Sequence, residues 1–221
     1  MGQLNGEPVV ERIVVGALEA NCYIIVAPGS LDALVIDPGA DPERILDRVR
    51  ALGVHVVGVI HTHGHFDHIS ATEEVLAGLP APVPVFSHAD DAYLYRREAR
   101  AMGAAFGYPF AERPLTPDQT LVDTMEIPFG ARRLEVIHTP GHTPGSVSLL
   151  CPEYFVISGD TLFRRGIGRT DLPGGDEDAI YESILTRLYP LPPDLRVYPG
   201  HGDATTIGEE RLRNPFVQSP G

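Results

Sequence analysis

The sequence predicts a mixed α/β (α+β) domain in which sheet packs on sheet and helices lie outside. Three observations lead there. Strand-like and helix-like segments occur in both halves of the 221 residues, no repeat or linker divides them, and some strand-like runs are apolar without alternation. Unbroken apolar strands of that kind are covered on both faces. With 43% hydrophobic residues the chain can bury one substantial core, so a single domain spanning 1–221 is expected.

Taken in order, 8–15, 21–26 and 33–37 read as short strands, each β-branched or apolar and closed by Gly or Pro. After Asp41-Pro42 the period becomes 3.6. Ile45, Val49 and Leu52 share one face, Pro42 suits a first turn and Gly53 an end. HVVGVI at His55–Ile60 is a near-continuous apolar strand that delivers the chain into HTHGHFDH. A helix over 70–79, a strand over 83–86 and a longer helix over 89–102 follow, then an irregular stretch over 103–119. Strands are expected over 120–128, 132–138, 145–151, 154–158 and 196–198, with a helix over 177–188 and a Pro/Gly-rich surface loop over 166–175.

Composition excludes several functions. The net charge of −13 speaks against affinity gained by neutralising nucleic-acid phosphates. All seventeen basic residues are arginine, which removes lysine Schiff bases and P-loop lysines. Cys22 and Cys151 do not make a disulfide framework or a CxxC pair and are expected as small buried hydrophobes. The first twenty residues lack the basic start and apolar stretch of a signal peptide, and no segment has the length of a membrane span, so a cytoplasmic protein with no membrane partner is expected.

The strongest chemical signal is His63-x-His65-x-Asp67-His68 at the end of a buried strand. In an extended or tight-loop backbone alternate side chains point the same way, so His63 and His65 can share one metal while Asp67 and His68 turn toward another. His142 in HTPGHTPGS, Asp160 in ISGDTLF and His201 in YPGHG also follow strands, with glycine beside each. Strand ends on one edge of a sheet converge, so His63, His65 and His142 can fill one metal, Asp67, His68 and His201 a second, with Asp160 bridging. A single His at a strand end is more often hydrogen-bonded structure, but many acceptors without cationic neighbours are hard to bury unless a cation is present. Imidazole and carboxylate without thiolate suit two zinc ions, with iron or manganese permitted. His55 and His88 read as surface or loop residues, and His61 and His138 as packing groups or supports behind the ligands. Asp37 in VIDPG reads equally as a turn former or as an acceptor orienting a ligand histidine.

THGHFDH, TPGHTPG, SGDTLF and PGHG, in this order over nearly the whole chain, resemble the metallo-β-lactamase superfamily. Asp160, the stretch GIGRTDLPGGD and the ending TTIGEERLRNPF resemble the short bacterial glyoxalase II, or hydroxyacylglutathione hydrolase, type. The resemblance implies a four-layer αββα sandwich, a binuclear site at one edge with the ligand division above, and thioester hydrolysis. Full-length glyoxalase II carries a C-terminal helical domain that supplies contacts to glutathione, and no such domain is expected after the NPF segment here.

The expected function is therefore metal-dependent hydrolysis of a small-molecule thioester such as S-2-hydroxyacylglutathione, by hydroxide held between two metals. Asp67 would also direct that hydroxide. Arg164, Arg165 and Arg169, beside the Asp160 loop, are candidates for substrate carboxylates, against the plainer reading as surface ion pairs. The alternative is a persulfide dioxygenase of the same superfamily, which shares the GRTD element and would use His63, His142 and Asp160 as a triad on one iron. A lactone hydrolase and a non-catalytic metal-binding protein stand behind it.

Overall fold

Alternate residues of the apolar strands enter different cores, which is why those strands show no polar face. A computed structural model describes residues 6–108 and 115–218, with backbone alone over 97–100. Strands β1 (Val9–Val15), β2 (Ala20–Val26) and β3 (Asp32–Ile36) form an antiparallel meander. Helix α1 (Pro42–Leu52) then crosses to β4 (His55–Ile60), parallel to β3. Helices α2 (Phe66–Ile69) and α3 (Thr72–Gly78) lead to β5 (Val85–His88), and a 3-10 turn (Ala89–Asp91) and α4 (Arg97–Ala104) precede β6 (Gln119–Leu121). These strands make a six-stranded sheet in sequence order.

The second sheet begins with β7 (Glu126–Phe129), β8 (Arg132–His138), β9 (Val147–Cys151) and β10 (Phe155–Gly159). A small hairpin, β11 (Leu162–Phe163) and β12 (Gly166–Ile167), follows. Helix α5 (Glu177–Glu182) runs on as a π-helix over Ser183–Leu188, and β13 (Arg196–Pro199), β14 (Thr205–Thr206) and α6 (Ile207–Arg213) complete the described chain. The sheet order is β14-β13-β10-β9-β8-β7.

In β2, Tyr23 and Ile25 point into the core between the sheets, where they join Leu34, Ile36, Phe129, Val136, Phe155 and Ile157. Cys22 and Ile24 point the other way and pack with Ile45, Leu46 and Val49 of α1 and Val75 of α3. Val156 and Val197 face Ile180, Ile184, Leu188 and Ile207 in the opposite helical layer. The result is the four-layer metallo-β-lactamase fold: helices, sheet, sheet, helices. Both cysteines are free and buried.

Several local expectations need correction. The expected helix over 70–79 is two helices and starts earlier, so Asp67 and His68 lie on a helical turn and not in a loop. The expected helix over 89–102 is a 3-10 turn, a run of turns and then α4. The strand expected over 120–128 is two strands in different sheets, separated by a turn in which Thr124 has φ of 65°. The loop over 166–175 begins as β12. Of the irregular stretch over 103–119, residues 109–114 lie outside the described residues.

Candidate metal centre

Strands β3, β4, β8, β10 and β13 end on one edge of the molecule. Backbone bonds join the two sheets there, Val147 N–H donating to Thr62 O at 2.8 Å and Asn21 N–H to Gly200 O at 2.7 Å, while Gly200 N–H donates to Gly159 O at 2.7 Å within the second sheet. The residues that follow those strand ends are brought together. His63, His65 and His142 form one group of donor atoms, and Asp67, His68 and His201 another, all atoms of a group lying within 4.8 Å of one another. Asp160 stands between them. Its Oδ2 is 3.5 Å from His142 Nε2 and 3.6 Å from His201 Nε2, and its Oδ1 is 3.6 Å from His68 Nε2. A Cβ on Gly200 would overlap Asp160 Oδ1, so only glycine admits this approach.

The outer ring nitrogens are held by protein acceptors, which turns the inner nitrogens toward the centre. His68 Nδ1 donates to Asp37 Oδ2 at 3.0 Å, His142 Nδ1 to Arg169 O at 2.8 Å, and His201 Nδ1 to Leu18 O at 3.1 Å. Thr62 Oγ1 donates to Asp37 Oδ2 at 2.7 Å and is 3.1 Å from His63 Nδ1, whose proton it can then accept. His65 differs, since its Nδ1 faces inward, 2.8 Å from His142 Nε2. Asp37 thus supports one histidine of each group, and its φ of 51° makes it the turn former as well.

Electrostatics show what the cluster needs. Burial, followed by repulsion from His68 and His142, pushes His63 well below the ordinary histidine range, and burial with His142 pushes His65 to about 4. Burial also opposes a proton on His68, but Asp160, Asp67 and Asp37 raise it to about 10. His201 is raised in the same way, its hydrogen bond to Asp67 and the charge of Asp160 outweighing burial. Burial opposes charge on Asp67, yet His68 and His201 hold its carboxyl well below the usual range. His63 Nε2 and Asp160 Oδ1 are buried without a hydrogen-bond partner, and metal cations here would satisfy both. The donor set fits a dimetal site.

Asp91 is a site-building residue that sequence reasoning missed. It is fully buried, and burial raises its carboxyl above the usual range. Its Oδ2 accepts from Gly64 N–H at 2.8 Å and from Thr143 Oγ1 at 2.8 Å, and its Oδ1 from Gly145 N–H at 2.7 Å. One carboxylate therefore clamps the loop of His63 and His65 to the loop of His142. No local pattern marks it, because its partners are 27, 52 and 54 residues away.

The remaining histidines have other surroundings. His61 lies between Tyr95 Oη at 3.0 Å and Thr72 Oγ1 at 2.8 Å, and His55 is exposed. His88 and His138 stack with centroids 4.3 Å apart and an interplanar angle of 10°. Asp90 joins them in a further donor group, but lone pairs in nearly parallel ring planes do not converge on one ion. Arg169 reaches the centre through its carbonyl, while its guanidinium holds both oxygens of Asp171 at 2.7 Å. Arg164 and Arg165 line a separate depression with Arg196 and Glu210, and Arg164 pairs with Asp203 at 3.5 Å.

His65, Asp67, His142, Asp160 and His201 form the floor of a cavity of about 700 Å³. Two facing sheets with such a floor at their shared strand ends define a metal-dependent hydrolase of the metallo-β-lactamase type. The sequence profile of the metallo-beta-lactamase superfamily matches residues 15–201, and the chain belongs to that superfamily. It is 36% identical over 212 residues to hydroxyacylglutathione hydrolase GloC of Haemophilus influenzae, covering 95% of this chain and 98% of that protein. Among solved structures, TTHA1623 in a di-iron-bound form has 39% identity and a TM-score of 0.83 over 94% of this chain and all of that one (100%). BLEG-1 B3 metallo-beta-lactamase has 33% identity and a TM-score of 0.85, covering 95% of this chain and 99% of that one. Among the described residues no helix is long and apolar enough to cross a membrane.

Proposed function

We propose that this chain is a binuclear metallohydrolase of thioesters such as S-2-hydroxyacylglutathione. The observation that carries the reading is Asp160, one carboxylate within 3.6 Å of imidazoles from both donor groups. His63, His65 and His142 would hold one metal, Asp67, His68 and His201 the other, with Asp160 between them. When bound, two such metals supply a hydroxide nucleophile at neutral pH and Lewis acidity toward the carbonyl oxygen. The similarity to GloC supports thioesters as substrates, and the di-iron relative keeps iron beside zinc as a candidate metal.

The protein's own groups then have defined tasks. Asp37, Thr62, Arg169 O and Leu18 O hold the imidazoles in the tautomers that aim inward. Asp67 lines the cavity and accepts a hydrogen bond from the attacking oxygen, which orients it toward the carbonyl carbon. A C–O bond forms, the C–S bond breaks, and the proton left on the attacking hydroxide goes to the thiolate, leaving a carboxylate and a thiol, the water's first proton having gone to solvent when the hydroxide formed. A thiolate leaves readily, so no dedicated general acid is needed. Arg169, on the cavity wall, is the candidate for contact with a substrate carboxylate.

The test is metal content per chain by elemental mass spectrometry, with zinc and iron both available during growth, followed by thioester hydrolysis. Close to two metals per chain and turnover of S-lactoylglutathione or a neutral thioester are expected. A single iron per chain with oxygen uptake on a persulfide would overturn the proposal in favour of the dioxygenase. A higher kcat/KM on a chromogenic β-lactam than on any thioester would overturn the substrate class.

A further inference from the structure

The walls above the metal centre differ in chemistry from its floor. Phe66 stands on one side, its ring stacked on Phe106 with centroids 5.9 Å apart, and Met102 lies with them. Phe163, Ile167, Leu172 and Pro173 face the same cavity, and Leu18 closes a third side. Apart from the metal-centre residues, the charged side chain on this lining is Arg169, already held by Asp171. Met102, Phe106 and Leu18 remain 62%, 52% and 40% exposed, so large apolar side chains meet water at one rim. Such a concentration beside a reaction centre marks a surface that is covered when substrate binds.

We infer that this cavity takes an apolar acyl chain, so that the preferred substrates are thioesters of medium-chain or aryl carboxylic acids. The inference rests on the thioesterase reading above and narrows it. The acyl carbonyl sits at the floor, and its chain runs between Phe66 and Phe106 on one wall and Phe163 and Ile167 on the other. A small hydroxyacyl group leaves these walls wet. A glutathione moiety brings two carboxylates into a protein of net charge −13, where the wall's arginine is already paired. Each methylene moved from water onto such a surface strengthens binding about fourfold until the space is filled.

The experiment uses the metal-loaded enzyme with two readouts. Calorimetry compares acetate, butyrate, hexanoate and octanoate as product carboxylates. Kinetics compares the acetyl to octanoyl thioesters of N-acetylcysteamine, a neutral carrier, with S-lactoylglutathione. Octanoate is expected to bind about 100-fold or more tighter than acetate, and kcat/KM to climb with chain length. Phe106→Ser and Met102→Ser alter exposed side chains and should each cut the octanoyl-to-acetyl ratio about fivefold or more, by the apolar contact removed. A flat series in both readouts, with S-lactoylglutathione hydrolysed fastest, overturns the acyl-chain assignment and leaves the thioesterase standing. Octanoate binding without hydrolysis of any thioester instead overturns the thioesterase reading and keeps the cavity assignment.

Discussion

The two donor groups of the centre each take two residues from one short motif but sit in different surroundings. His63, His65 and His142 are all imidazole, and His63 and His142 are only 2% and 3% exposed. Asp67, His68 and His201 mix a carboxylate with imidazoles and open to solvent at His201, whose side chain is 28% exposed. Asp160 would offset charge in both groups and Asp67 in the second alone, so a dication in the first would keep more of its charge for polarising an oxygen. The second group is the more open to solvent, and Asp160 stands between the two.

Asp160→Ala is the most severe way to break that comparison. It should lower kcat/KM about 1000-fold or more and reduce the metals per chain, since the bridging charge is worth several kcal/mol. Full metal content with full activity would show that the groups do not share it. His142→Ala and His201→Ala sharpen the contrast by removing one donor from one group each. Each should cost activity about 100-fold or more, beyond the usual loss for a supporting residue, and elemental analysis should show the other group's metal retained. If both variants lose both metals, the groups fill as a unit.

Asp37→Asn should weaken metal affinity about 10- to 100-fold at both groups. A loss confined to the second, measured by chelator competition, would show that the Thr62 relay to His63 carries nothing. Asp91→Ala strands buried N–H groups at Gly64 and Gly145 and should destabilise the fold by about 1–3 kcal/mol in urea unfolding, with a parallel fall in kcat. Unchanged stability would remove its role as the clamp between the ligand loops. Arg169→Ala is expected to be mildest, with stability in urea unfolding unchanged, because its carbonyl and not its exposed ion pair supports His142. A rise in KM of several-fold with kcat kept would instead place its guanidinium on substrate.

Much of the centre was legible in the sequence because its chemistry is concentrated. His63, His65, Asp67 and His68 are dense enough in one stretch to signal a metal, and the glycines beside His142, Asp160 and His201 mark close backbone approach. The apolar run of β4 predicted a strand covered on both faces, and Gly53, with φ of 64°, ends α1 as expected. Helix α6 carries a local start signal: Thr206 Oγ1 accepts from Glu209 N–H at 3.2 Å, and Thr206-x-x-Glu209 is the pattern of a capping box.

Other features had no local signal at all. Asp91 looks like part of an ordinary helix until Gly64, Thr143 and Gly145 arrive from distant segments to meet it, and the arginines near Asp160 look like substrate contacts until two of them are seen to face another depression. The sequence by itself determined the donor types, their spacing and the strands that end at them, because hydrophobic periodicity and ligand density act over a few residues. Only the tertiary structure decided which nitrogen of each histidine faces inward, which carboxylate ties the ligand loops together and what walls surround the centre. Those depend on hydrogen bonds and contacts between strand ends far apart in the chain, which exist only once the two sheets have closed on one another.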